Sequence, residues 1–264
     1  MSKREWAFTA QEMSIWFEAC GRDVLPYPLT YWPDEQYQDE YWRNRRAAID
    51  GLRDRRDEWL ERALSVLVAP EVRLEVSGFT GRHRDRKIRL HAGIHHQLCA
   101  IVAQQPGRDH DHGGDVTIML HPADKLGELV VAQLPSAPAG TLPPLEVRAA
   151  DIDGPQQVVR NASQLTARQL VDRFMDRPQS SIGYVAAYPY DSVDNRHIEG
   201  RKDFQWIDFE GDGRYVTAGE ATLKAQSVDS AGLAATIQRM VTTILKGVRA
   251  GQYAHLPNAN APTP

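Results

Sequence analysis

The stretch Val72–Ile94, VRLEVSGFTGRHRDRKIRLHAGI, decides the fold. Val72, Leu74 and Val76 alternate with polar residues, and Ile88, Leu90, Ala92 and Ile94 do so again. A period of two belongs to a strand with one buried face. The link between them, GRHRDR (81–86), is too hydrophilic to bury and predicts a long hairpin arm joining antiparallel strands. Downstream, QLCAIVAQ (97–104) is almost continuously apolar and DVTIML (115–120) alternates once more. Consecutive strands without helical crossovers imply an antiparallel sheet.

Helix signals bracket this run. Thr9-Ala-Gln-Glu12 is a capping box with Phe8 and Met13 at the staple positions, and Gly21 supplies the stop. The proline- and aromatic-rich segment 25–42 cannot be regular helix and is read as a loop draped over the body. From Tyr41 to Val68 one long charged helix is expected. Arg46–Asp50, Arg53–Asp57 and Glu58–Arg62 are spaced as i,i+4 pairs, which marks a solvated face rather than a nucleic-acid surface. A helix around Pro122–Leu134 and a proline-bearing connector (136–155) follow.

The order then repeats. Thr166-Ala-Arg-Gln169 is a second capping box with Leu165 and Leu170 as its staple. Strand-like SIGYVAAYPY, DFQWIDF, RYVTAG and ATLKAQSV lead to a final helix from Asp229 striped by Leu233, Ile237, Val241, Ile244 and Val248. The fold class is therefore α+β, with a mainly antiparallel central sheet and flanking helices in two repeated halves, about 41–135 and 160–250. Residues 1–264 read as one domain ending in a disordered tail, 251–264.

Composition narrows the function. The 264 residues carry a formal net charge of −4 and 42% hydrophobic residues, which disfavours a nucleic-acid binder. No apolar run approaches the roughly 18 residues of a membrane span, and MSKREWAFTAQEM lacks a signal-peptide h-region. Two cysteines, Cys20 and Cys99, make neither a zinc site nor a disulfide framework, so a reducing cytoplasmic setting fits. Dinucleotide, P-loop, nucleophile-elbow and zinc-protease motifs are all absent. Asp109, His110, Asp111, His112 and Asp115 in GRDHDHGGD leave a metal-dependent hydrolase as the alternative, but their Gly-flanked setting favours a polar hairpin tip. In the strand KIRLHAGI, His91 and His95 would sit roughly 13 Å apart, too far to share a metal.

The passages FTAQEMSIWFEACGRDVLPYPL, ALSVLVAPEVRLEVSG, GYVAAYPY and FQWIDFEGDGRYVT, together with the terminal helix, resemble the EspG family, cytoplasmic chaperones of ESX (type VII) secretion. The likeness runs from Phe8 to Val248. It implies quasi-two-fold halves, a central mainly antiparallel sheet and helical bundles. It also implies a non-enzymatic protein without cofactor that binds the apolar tip of a PPE protein within a PE–PPE heterodimer. The family's contact surface uses the sheet, the loop between the second and third strands, and C-terminal helical elements. That loop maps to Thr80–Arg86, with Arg82, His83, Arg84, Asp85 and Arg86 as partner-binding residues. The sheet contribution maps to Phe204, Trp206 and Tyr215, with Asp208 and Arg214 at the rim. The loop is short and highly charged for the family, so a PPE-like ESX substrate alone remains an alternative client, and a homodimer an alternative state of the free chain.

Overall fold

The alternating residues of 72–94 form β2 (Val72–Thr80) and β3 (Arg86–His95), paired antiparallel from Val72 opposite Ile94 to Thr80 opposite Arg86. The computed structural model describes residues 4–153, 165–191 and 199–256. β4 (Leu98–Pro106) and β5 (Gly113–Pro122) complete one meander; β7 (Gln179–Pro189), β8 (Lys202–Phe209), β9 (Arg214–Ala218) and β10 (Thr222–Ser227) form the other. β1 (Arg4–Phe8) and β6 (Leu145–Arg148) add to the outer edges. β2 pairs antiparallel with β7 and fuses the meanders into one ten-stranded sheet, ordered β1-β5-β4-β3-β2-β7-β8-β9-β10-β6. Reading outward from the β2/β7 seam, each half has the same strand order, which is the quasi-two-fold repeat. The fold is the mixed, antiparallel-sheet architecture expected from the strand patterns.

Helices cover both faces. On the back face, α4 (Leu126–Ala132) and α7 (Ser230–Arg249) bury Leu126, Val130, Leu233, Ile237 and Val241 against Leu74, Val76, Ile101, Val185 and Trp206. On the front face, α1 (Ala10–Ala19) and α3 (Glu58–Val68) cover the first meander through Met13, Trp16, Leu60 and Leu64 on Val102, Ile118 and Leu120. α6 (Ala167–Met175), preceded by the short α5 (Ala149–Asp153), covers the second through Phe174 on Ile207, Phe209 and Tyr215. Cover on both sides explains why β4 is almost continuously apolar. At the seam the Trp206 indole lies across Gly78 and Gly183. A Cβ on Gly78 would come within 2.8 Å of the ring, so glycine is needed for the close approach.

Several expectations are corrected. The helix expected over 41–68 is two, α2 (Gln38–Arg53) and α3. Asp57 breaks it by capping α3, accepting from the Trp59 and Leu60 amides at 2.8 and 3.0 Å, and it also accepts from Trp6 Nε1 at 2.8 Å. Arg53 accordingly pairs with Asp50, not Asp57. The 81–86 link is no long arm. Pairing persists to Thr80 and Arg86, leaving a tight five-residue tip, 81–85. Of the tail, 257–264 lies outside the described residues, as does the turn stretch 192–198. Gly251–Leu256, however, folds back and buries Tyr253 against the end of α7. Both capping boxes form as read. No helix among the described residues is long and apolar enough to cross a membrane.

Candidate functional site

Strand direction gathers distant residues at one end of the sheet. β3 begins there, β7 begins there, and β8 turns into β9 there. The 81–85 tip is held against β7: the Gly81 amide donates to Ser180 O, and Arg84 Nη2 donates to Gln179 Oε1 at 2.7 Å. Arg84 has φ +54 and Gly81 φ +94, and a Cβ on Gly81 would collide with the Asp85 carboxylate. Arg82, His83, Arg84, Asp85 and Arg86 are all exposed on this fixed tip.

The tip adjoins an apolar cleft. Gln179 Nε2 donates to Met175 O at the end of α6, and Arg177 Nη1 reaches Asp212 in the β8–β9 turn at 2.7 Å. Asp212 also accepts from Thr141 (amide and hydroxyl) and from the Tyr215 hydroxyl, whose oxygen accepts from the Leu142 amide. Burial alone would favour its neutral form, but the bonds from Tyr215, Thr141 and Arg177 outweigh it and hold the carboxyl below the usual range. This knot ties the 141–145 connector to α6 and leaves a cleft of about 670 Å³ between them. Leu142, Leu165 and Leu170 line it while 43%, 40% and 38% exposed. A cluster of half-exposed leucines beside a fixed charged tip is the anatomy of a protein-binding patch.

A polar seam runs down the front face from the tip. Ser77, Arg89, His91 and Gln104 are buried on this face, and the 25–33 segment crosses it as a strap held by His91 and Gln104. Gln104 holds Thr30 at both its amide and its carbonyl, at 2.9 and 2.7 Å. His91 Nδ1 donates to Tyr27 O at 2.9 Å, leaving Nε2 buried without a partner. Burial pulls its pKa down to about 4. Beyond Tyr27, which stacks on Tyr184 and hydrogen-bonds to it, the face opens: Asp203 and Gln205 of β8 are exposed between strap and α6.

The sheet residues mapped as contacts lie elsewhere. Phe204 and Trp206 point to the back face under α7, with Trp206 Nε1 on Ser181 Oγ at 3.1 Å. Arg214, fully buried, clasps both oxygens of Asp208 at 2.6 and 2.7 Å and donates to Pro135 O. Asp208 and Arg214 are thus an internal pair, not a rim. Tyr215 faces the front but is sealed under Phe174. Alternation along β8 placed two large apolar sets on opposite faces, and only the helices decide which is open. The helices cover both: Phe204 and Trp206 lie under α7, Ile207 and Phe209 under α6, and of the front set Gln205 is exposed. Leu142 carries no sequence signal among the connector prolines, and Leu165 and Leu170 read as a helix staple, a structural role.

GRDHDHGGD forms the β4–β5 hairpin tip. Asp109 Oδ1 accepts from the Asp111 and His112 amides and from His112 Nδ1, at 2.6–3.0 Å, and the His112 bonds hold its pKa at about 2. His112 Nε2 meets Arg108, and His110 packs on Phe79. Among the described residues no group of three or more His, Cys, Asp or Glu is placed to hold a metal.

A family model described as the EspG family matches residues 9–243. Among solved structures, the chain is similar to the Mycobacterium tuberculosis type VII secretion system chaperone EspG5, solved in complex with a PE25–PPE41 dimer. The TM-score is 0.53 at 11% identity, covering 92% of this chain and 96% of that one. No curated protein matches in sequence.

Proposed function

The chain belongs to the EspG family, and from that premise we propose that it is a non-enzymatic cytoplasmic chaperone of a PE–PPE heterodimer, binding the apolar tip of the PPE protein. Binding keeps that client soluble and directs it to an ESX secretion system. The observation that carries this reading is the union, at one sheet end, of the leucine-lined cleft and the charged 82–86 tip. The cleft receives apolar side chains that would otherwise drive client aggregation. The tip and the exposed Asp203–Gln205 edge set orientation through charge and hydrogen bonding, which govern specificity and encounter rate more than raw affinity. Phe204, Trp206, Asp208 and Arg214 act from behind and Tyr215 from beneath α6, fixing β8 and β9 so that tip and cleft keep their spacing. Co-expression with a PE–PPE pair from the same genome tests the proposal. The account expects one co-eluting complex and a soluble client; an insoluble client beside free chaperone contradicts it.

A further inference from the structure

At the opposite end of the sheet, about 30 Å along β3 from Arg86, lies a cavity of about 960 Å³ between α3 and the β3–β4 turn. It is unrelated to the client surface described above. Val66 and Leu98 give it an apolar back, Trp59 an aromatic wall, and Arg62, His95, His96 and Arg249 a polar rim. None of its lining residues is a carboxylate. Glu71, outside the lining, is saturated: its two oxygens take Arg249 at 2.9 Å each, and one accepts the His96 amide at 2.6 Å. Arg249 also donates to His96 O, so the terminal helix pins the turn, with His96 at φ +53. Two groups here have no polar protein partner among the described residues, one exposed to solvent and one buried. Arg62 lies 6.0 Å over the Trp59 ring in no ion pair among the described residues, and His95 Nδ1 is buried with no partner.

We infer that this cavity is a second protein-docking site, taking an acidic peptide segment with one apolar anchor residue. The anchor fills the Val66–Leu98 back wall beside Trp59. A flanking carboxylate pairs with Arg62 and a second acceptor meets the His95–His96 edge. The volume suits a few residues of extended chain, and the charge balance of the rim chooses acidic over basic segments. Because the cavity sits at the far end of β3, its occupant and the client bind without competing.

Selection of a random-peptide display library on the full-length chain tests this. Segments recovered by the wild type are expected to carry acidic residues around a Leu, Phe or Trp. A synthetic copy of such a segment should bind the exposed-site variant Arg62→Glu about tenfold more weakly, and Arg239→Glu, on the outer face of α7, as tightly as wild type. Melting curves of the two variants confirm equal folding. Recovery of basic segments, recovery of nothing, or segments indifferent to Arg62→Glu each overturns the inference. None of these results bears on the chaperone proposal, whose test is capture of the PE–PPE client.

Discussion

Replacing Asp208 by alanine separates a supporting residue from a contacting one. The change removes both acceptors of the Arg214 guanidinium, now bonded at 2.6 and 2.7 Å, in a place with no exposed surface. One bond remains, to Pro135 O, and Nη1 already has no partner. Breaking a buried ion pair from one side leaves an uncompensated charge and costs about 3–5 kcal/mol. For a chain of this size that lowers the melting temperature by about 10 °C. Replacing both partners, Asp208→Leu with Arg214→Met, removes the charge problem and should restore most of the loss. Calorimetry or circular dichroism on the two variants reads the effect, and client affinity at a temperature where both are folded should match wild type. A loss under about 1 kcal/mol for Asp208→Ala, or a folded Asp208→Ala protein that no longer holds its client, refutes the internal-pair assignment.

The Trp206 contact predicts that Gly183→Ala is destabilising by about 1–3 kcal/mol, since the new methyl would overlap the edge of the indole ring and stand 2.5 Å from Ser77 O. Urea unfolding measures it, and an unchanged midpoint would disprove the close approach. His91 predicts acid sensitivity. A depressed folded-state value means the unfolded chain binds the extra proton, so its contribution is present above pH 6.5 and lost as pH falls toward about 4. The slope is about 1.4 kcal/mol per pH unit within that window. Burial pushes the Glu75 carboxyl upward, which acts in the opposite sense, so the measured quantity is wild type minus His91→Gln, where Glu75 cancels. A difference independent of pH between 6.5 and 4 rejects the buried neutral imidazole. In the cleft, Leu170→Asp and Leu142→Asp change exposed side chains. They should lower client affinity about tenfold or more with little change in melting, and equal affinity would remove the cleft from the interface.

The inner strands were legible because their alternation meets helices on fixed faces, and the capping boxes because their bonds are local. β1 and β6 were not: each is an edge strand of five residues or fewer whose partner among the described residues, β5 or β10, is far away in sequence. The α2–α3 break is not legible because Asp57 reads equally well as an i,i+4 partner of Arg53 or as a cap. For the proposed site, the exposure of the charged tip could be read directly, since five consecutive polar residues between strands have nowhere to go but outward. The sheet contacts could not. Period two says that residues 204 and 205 face opposite ways; which way is covered depends on α7 and α6 packing from more than twenty residues off.

The most direct measurement is client binding by the wild type and by Arg84→Glu/Arg86→Glu, compared at low and physiological salt. Both arginines are exposed, and among the described residues Arg84 bonds one side chain, Gln179, so the double variant should melt within about 1 °C of wild type. The account predicts that wild type retains the PE–PPE heterodimer and that the reversed tip loses it, with wild-type association slowing as salt screens the tip. A reversed tip that binds as well as wild type would contradict the placement of the site at this end of the sheet.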